Sequence, residues 1–360
     1  MNRIGNIKNF LGKNFGALLV SSIPNIIYLT GFNGFSSEER EAHLLITKRK
    51  NYIFTDGRYK EAAAKFTSFE LVEISSNRSF EDIFKTVIAK EKIKKLAIDI
   101  NELKIFEFLK IKRAIKVCSD ENLIEKLRMF KDGSEIELIK KACQLGDKTF
   151  KYILSQIKLG VTEKELAKKI EISILQNNAE TSFRPIVAFG PNSSSPHHVA
   201  SDRKLRKNEI VLLDFGVRIN NYCSDMTRTV IFGKANAEQK KIYKTVLIAQ
   251  TKAIKFLQSS IFNHQSINGF DVDKIAREHI ISKKFPTIPH SLGHGIGLEV
   301  HEKPSLSLKS KDELKEGMVF SVEPGVYIPG FGGVRIEDLV VLNKNGLEIM
   351  TRANRELIEL

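Results

Sequence analysis

The run from Glu209 to Gly233, EIVLLDFGVRINNYCSDMTRTVIFG, sets the tightest constraint in this 360-residue chain. Two β-rich stretches flank an Asn220-Asn221 turn signal, and each carries one acid, Asp214 and Asp225. A bare carboxylate buried in an apolar strand forfeits its hydration, so each aspartate needs a partner. In a hairpin closed near the asparagines, positions 214 and 225 become facing or diagonal neighbours on one face. Like charges that close repel unless a cation sits between them, which points to a metal site.

A single core rarely serves a chain of this length, so two domains are expected. In residues 1 to about 118, the β-rich runs GALLVSS, NIIYLTGF, HLLITKRK, NYIFTDGRY, FELVEI and KLAIDI alternate with helical stretches at Phe80 to Ile93 and Leu103 to Lys110. This pattern predicts an α/β layer domain. The polar segment SDENLIEKLRMFKDG reads as the connection, dividing the chain into 1–125 and 126–360. Beyond it, capping boxes at Ser134/Glu137 and Thr162/Glu165 open two helices, the first reaching about Ile157. Asn236 and Gln239 cap a third, through about Gln258, and a fourth runs from Asp271 to Lys284. The last quarter is β-rich, which makes the whole α+β.

The formal charge of +14 raises the question of nucleic acid. The basic residues fall in short runs, such as Lys48-Arg49-Lys50 and the group Arg203, Lys204, Arg206 and Lys207, without aromatic interleaving or a reader motif. They read as solvated faces, and no nucleic-acid partner is expected. Cys118, Cys143 and Cys223 are too few and too scattered for a disulfide framework or a CxxC zinc site. No run is apolar for long enough to cross a bilayer, and the start lacks a secretory pattern, so a cytoplasmic address is expected, with no membrane partner.

Five of the eight histidines fall in two loops: His197 and His198, then His290, His294 and His301. His294 lies between Gly293 and Gly295, where small neighbours permit close approach. Glu323 in VFSVEPG and Glu337 in VRIEDLVV repeat the problem of the hairpin aspartates. Four carboxylates and one imidazole can hold two divalent ions, with Asp225 and Glu337 placed to bridge. Oxygen-rich ligation favours Mn²⁺, with Zn²⁺ or Co²⁺ as substitutes. A two-metal centre implies hydrolysis, with Glu323 as general base and His197 and His301 as oxyanion donors or proton shuttles. His198 and Asp338 are expected to face away from the site, because side chains on extended backbone alternate. His43, His264 and His279 lie outside the clusters.

At these residues the chain resembles the creatinase/aminopeptidase family with the pita-bread fold, and within it the Xaa-Pro aminopeptidases and prolidases. LLDFG…NYCSDMTRT, HSLGHGIGLEVHE, SVEPGVYIPGFGGVRIED and the PHH loop follow the family's order. Looser similarity extends to NIIYLTGF, TDGRY and EKLRMFKDGSEIELIKKA. The resemblance implies a C-terminal pita-bread catalytic domain behind a smaller α/β creatinase-like domain that restricts substrate and makes oligomer contacts. It implies Asp214, Asp225, His294, Glu323 and Glu337 as metal ligands, His197, His301 and Glu323 as catalytic groups, and His290, Tyr327 and Arg335 as substrate-holding or supporting residues. The implied activity is release of the first residue from peptides with proline second, by a hydroxide activated between two metal ions in a homodimer, with Arg58 facing a neighbouring subunit. The alternative is a prolidase, restricted to Xaa-Pro dipeptides. A methionine aminopeptidase or an inactive binding protein of this fold ranks behind both.

Overall fold

The computed structural model describes residues 2–36, 41–65, 68–99, 102–120, 122–344 and 346–360. The chain divides into two compact units, Met1–Arg128 and Met129–Leu360.

The first unit contains β1 (Ala17–Val20), β2 (Ala42–Thr47), β3 (Asn51–Asp56), β4 (Glu70–Ile74), β5 (Lys95–Ile98) and β6 (Lys116–Ser119) in one sheet of order β4-β3-β2-β1-β5-β6. Its helices are α1 (Arg3–Asn14), α2 (Ile23–Thr30), α3 (Gly57–Ala64), α4 (Phe80–Lys90), α5 (Ile105–Ala114) and α6 (Leu123–Arg128). Helix α4 starts where Ser79 accepts from the Asp82 amide, and it buries Ile83, Phe84, Val87 and Ile88. These side chains pack on Leu19, Leu45, Phe54 and Ile98 of the sheet, each contributing about 1.5–3 kcal/mol by leaving water.

One expected strand is a helix. NIIYLTGF falls in α2, where Pro24 occupies the first turn and Gly31 closes the end in a left-handed conformation (φ 76°). The Ile-rich composition resembles a strand, but Ile23, Ile26 and Leu29 lie on one helical face and are buried. A proline is tolerated in a helix's first turn, where its missing N–H is no loss.

The second unit begins with α7 (Gly133–Leu154) and α8 (Glu163–Leu175). The cap of α7 is Asp132, reciprocated by Glu135, two positions before the expected Ser134/Glu137 pair. The expected boxes at Thr162/Glu165 and Asn236/Gln239 are formed. There follow β7 (Glu180–Thr181), β8 (Ile186–Phe189), β9 (Glu209–Phe215), β10 (Val217–Ile219), β11 (Tyr222–Cys223) and β12 (Met226–Phe232). Next come α9 (Ala237–Phe262) and α10 (Gly269–Ser282), then β13 (Gly293–Gly295), β14 (Glu302–Leu306), β15 (Val319–Val322), β16 (Gly325–Ile328), β17 (Gly332–Arg335), β18 (Asp338–Asn343) and β19 (Gly346–Ile349). The strands form sheets of order β12-β9-β8, β11-β10-β7, β14-β13-β15-β18-β19 and β16-β17.

Two helix pairs back these sheets. Phe150 and Ile153 of α7 and Leu166 and Ile170 of α8 pack on Val211, Leu213 and Val230. Val246 and Ala253 of α9 and Val272 and Ala276 of α10 pack on Phe320, Val322 and Val340. Where β12 meets β18, the buried Arg228 binds Asp338 at 2.6 Å and also donates to the carbonyls of Thr227, Glu337 and Ala353. This pair fixes the strand end that carries Glu337. Among the described residues, no helix is long and apolar enough to cross a membrane.

Candidate metal centre

Asn220 and Asn221 both take positive φ, 46° and 72°, which closes a two-residue hairpin between Ile219 and Tyr222. The same register continues into β9 and β12, pairing Asp214 with Thr227 and Phe215 with Met226. Asp225 therefore lies across from Gly216, diagonal to Asp214 and on the same face. A Cβ on Gly216 would fall 2.0 Å from Ser182 Oγ and from the Ser224 carbonyl, so only glycine lets the hairpin fold this closely beside the acids.

Glu323 and Glu337 come together the same way. Val322 pairs with Asp338 at the end of the β15/β18 ladder, which sets the two glutamates opposite each other one step beyond it. Glu337 is tied to the hairpin, its amide donating to the Thr227 carbonyl and its Oε2 accepting from Thr227 Oγ1 at 2.7 Å. His294 sits mid-strand in β13. Its neighbours Gly293 and Gly295 press so closely on Ser321 and Lys303 that a Cβ would fall about 2 Å from their carbonyl oxygens. Its Nδ1 is held by the Gly295 carbonyl at 3.1 Å, turning Nε2 toward Glu323 Oε1 at 3.2 Å and Asp225 Oδ2 at 3.8 Å. One donor atom from each of Asp225, His294 and Glu337 lies within 4.8 Å of the others.

The electrostatics are those of an anionic cage. Burial, joined by repulsion from the neighbouring carboxylates, pushes Asp225 and Glu337 well above the usual carboxylate range. Burial also raises Asp214, against the pull of Arg335, whose Nη2 lies 2.6 Å from its Oδ2. Burial opposes ionisation of Glu323 and His294, but their mutual hydrogen bond and charge outweigh it, moving Glu323 down to about 2 and His294 up to about 9. One oxygen on each of Asp214, Asp225 and Glu337 is buried without a hydrogen-bond partner. Three orphaned carboxylate oxygens around an imidazole fit divalent cations of the oxygen-preferring kind and are costly otherwise.

These groups line a cavity of about 470 Å³, together with His197, His290, His301 and Arg335. The His294 and His301 rings stand edge to face, 4.2 Å between centroids. Burial and the neighbouring imidazoles His294 and His197 hold His301 below the usual histidine range. Tyr327 Oη lies 2.9 Å from His290 Nε2 and accepts from Arg335 Nη1 at 2.7 Å, so His290, Tyr327, Arg335 and Asp214 form one hydrogen-bonded chain. All ten residues singled out in the sequence converge on this region. His198 and Asp338 do turn away, His198 to Glu163 and Asp338 to Arg228.

Three contributors carried no sequence signal. Thr227 receives Arg335 Nε at 2.9 Å while donating to Glu337, yet it is one of two threonines in β12. Glu163 reads as an ordinary first-turn acid. Arg184 lines the cavity from just before β8 and makes no ion pair among the described residues.

Residues 137–344 match metallopeptidase family M24, and residues 3–130 match the creatinase/prolidase N-terminal domain. The chain belongs to metallopeptidase family M24. Its second unit is the pita-bread catalytic domain of that family, and its first is the creatinase-type N-terminal domain. This M24 peptidase is 35% identical over 361 residues to the Xaa-Pro dipeptidase of Pyrococcus horikoshii, covering 99% of this chain and 98% of that one. Among solved structures, the Xaa-Pro dipeptidase from Bacillus anthracis superposes with a TM-score of 0.92 at 34% identity, covering 100% of this chain and 99% of that one. An X-Pro aminopeptidase from Thermotoga maritima superposes at 0.85 and 35%, covering 96% and 98%.

Proposed function

We propose that this M24 peptidase is an Xaa-Pro dipeptidase whose two divalent ions are held by Asp214, Asp225, His294, Glu323 and Glu337. The observation that carries the metal reading is the set of orphaned, buried carboxylate oxygens around His294. The proline reading rests on relatives named Xaa-Pro dipeptidase that match this chain end to end. Bound there, two such ions would supply an acidified water and charge to polarise the scissile carbonyl. Glu323, ionised far below neutrality, accepts the proton of the attacking water and passes it to the leaving proline nitrogen. His301, neutral at pH 7, donates an N–H to the developing oxyanion, and His197 stands beside it on the same cavity. Arg335 orients Tyr327 and neutralises Asp214, leaving one Asp214 oxygen free to ligate. The Xaa-Pro bond is a tertiary amide without an N–H, so a site that relies on charge at the carbonyl suits it.

An Xaa-Pro aminopeptidase is the second reading, favoured by the likeness to the Thermotoga protein. Arg184 favours the dipeptidase. The cavity is lined by four carboxylates, and its other arginine is paired with Asp214, so a substrate carboxylate close to the scissile bond needs a cation of its own. Mn²⁺ as the native ion, a homodimer and a cytoplasmic address belong to the same proposal. The test compares Mn²⁺-loaded protein on an Xaa-Pro dipeptide, an Xaa-Pro-Xaa tripeptide and an Xaa-Ala control. Cleavage of the dipeptide alone supports the dipeptidase, and cleavage of both proline peptides supports the aminopeptidase. Equal turnover of the alanine control refutes proline selectivity.

A further inference from the structure

Glu163, the first residue of α8, is fully buried, and no lysine or arginine pairs with it among the described residues. Hydrogen bonds satisfy it instead. Its Oε1 accepts from the Phe189 amide at 2.8 Å and from Asn192 Nδ2 at 2.9 Å. Its Oε2 accepts from His198 Nε2 at 2.8 Å, the Ser201 amide at 2.9 Å and Ser201 Oγ at 2.6 Å. A carboxylate with five donors stays ionised despite its burial, and Glu163 is accordingly held below the usual range.

Those donors bracket one loop. Phe189 ends β8, Asn192 lies in the short 3₁₀ turn that follows, and His198 and Ser201 lie on the far side. Between them the His198 amide bonds the Ser195 carbonyl at 3.2 Å, closing a tight turn with Pro196 and His197 at its two central positions. Pro196 and His197 line the catalytic cavity, whereas His198 does not. The His197 ring is exposed and makes no hydrogen bond among the described residues, so its placement depends chiefly on where its backbone is held. That backbone is held on both sides of His197: Arg335 donates to the Pro196 carbonyl at 3.4 and 3.5 Å, and on the other side the His198 ring is held by Glu163.

We infer that Glu163 is a positioning residue for His197, acting through the His198 ring to hold the Ser195–His198 turn at the mouth of the catalytic cavity. This rests on the proposed role of His197 in Xaa-Pro hydrolysis. The other histidine-bearing loops carry comparable anchors. Arg277, paired with Asp273, donates to the carbonyls of Ile288 and His290. Lys131 pairs with Glu302 beside His301 at 2.7 Å. Glu163 differs in holding its loop through a histidine adjacent to the working one.

The experiment measures kcat and KM on an Xaa-Pro dipeptide with Mn²⁺-loaded Glu163→Gln, His198→Ala, His197→Ala and the double variants with His197→Ala. Metal content and thermal melting are recorded in parallel. Glutamine keeps the shape and one oxygen for Phe189 and Asn192, but turns an NH₂ against the Ser201 amide. Glu163→Gln and His198→Ala are each expected to lower kcat by about 10- to 100-fold, the usual scale for groups that orient a catalytic residue, with KM and metal content close to wild type. A structural role alone would multiply with any other loss. Positioning instead predicts that neither change lowers kcat further once His197 is alanine, to within about twofold. Should Glu163→Gln fail to fold, the pair of His198→Ala with His197→Ala decides by the same criterion. Losses that multiply in the double variants, or single variants with wild-type kcat, overturn the inference while leaving the peptidase reading intact. An inactive wild type, or a fully active His197→Ala, sinks the catalytic reading itself, and the positioning role with it.

Discussion

Replacing Asp225 with asparagine should move stability in opposite directions with and without metal. Asp225 is 5% exposed, one of its oxygens has no partner, and it shares a cage with Glu337 in which ligand atoms lie within 4.8 Å. Two unit charges at that distance and an effective dielectric of about 20 repel by about 3.5 kcal/mol. A proton taken up by the raised Asp225 or Glu337 relieves part of this at neutral pH, leaving about 1–3 kcal/mol to be gained by removing the charge. For a unit the size of residues 129–360 that raises the melting temperature in chelator by about 2–12 °C. The sign follows from the raised pKa. In the unfolded chain Asp225 gives up its proton at about pH 4, whereas the metal-free fold keeps it to higher pH, so the metal-free wild type weakens as pH rises above that point and the advantage of the variant grows with pH. With Mn²⁺ at about a hundred times its Kd, the wild type gains about 2.7 kcal/mol for each ion and the variant gains little, so the order reverses. Melting curves of both proteins in chelator and in Mn²⁺, at several pH values, test this. An Asp225→Asn protein that melts below wild type in chelator, or that gains as much from Mn²⁺, would rule out Asp225 as a carboxylate strained without metal and relieved by it.

Three further outcomes follow from the same geometry. Because Asp225, Glu337 and His294 all bind protons more tightly than usual in the metal-free fold, ion binding must release protons, and Mn²⁺ affinity should rise with pH to about 9; calorimetry in buffers of different ionisation enthalpy reads both effects. Arg184→Ala should raise KM for an Xaa-Pro dipeptide by about tenfold, with kcat little changed, and should leave KM for the corresponding C-terminal amide unaltered; equal effects on acid and amide would remove Arg184 from substrate recognition. Asp338→Ala strands the buried Arg228 and frees Thr351 and Gln250, at a cost of about 3–5 kcal/mol or about 6–20 °C in melting temperature, and a shift of under 2 °C in thermal unfolding would contradict that.

The parts of this molecule that could be read in advance are those where a residue violates its local context. Asp214, Asp225, Glu323 and Glu337 stand out because an acid in an apolar β-run is expensive, and the Asn220-Asn221 signal fixes which acids face each other. His294 stands out between two glycines whose hydrogens alone fit beside Ser321 and Lys303. Glu163, Thr227 and Arg184 break no local rule. Glu163 looks like one more acid favouring a helix start, and only the fold brings His198 and Ser201 to it across 35 and 38 positions. Tertiary context also decided α2, where three isoleucines suggest a strand but Pro24 and Gly31 bracket a buried helical face. At α7 the cap is Asp132 and not the expected Ser134, with Glu135 returning a hydrogen bond to the Asp132 amide.

Five side chains, from Asp214 to Glu337, are proposed to hold two ions together. An anomalous difference map from a Mn²⁺-soaked crystal addresses this assignment without reference to activity. Two peaks per chain are expected, about 3.5–4 Å apart, ringed by Asp214, Asp225, His294, Glu323 and Glu337. A map with no peak in that cavity, or with Mn²⁺ bound only elsewhere on the chain, would contradict it.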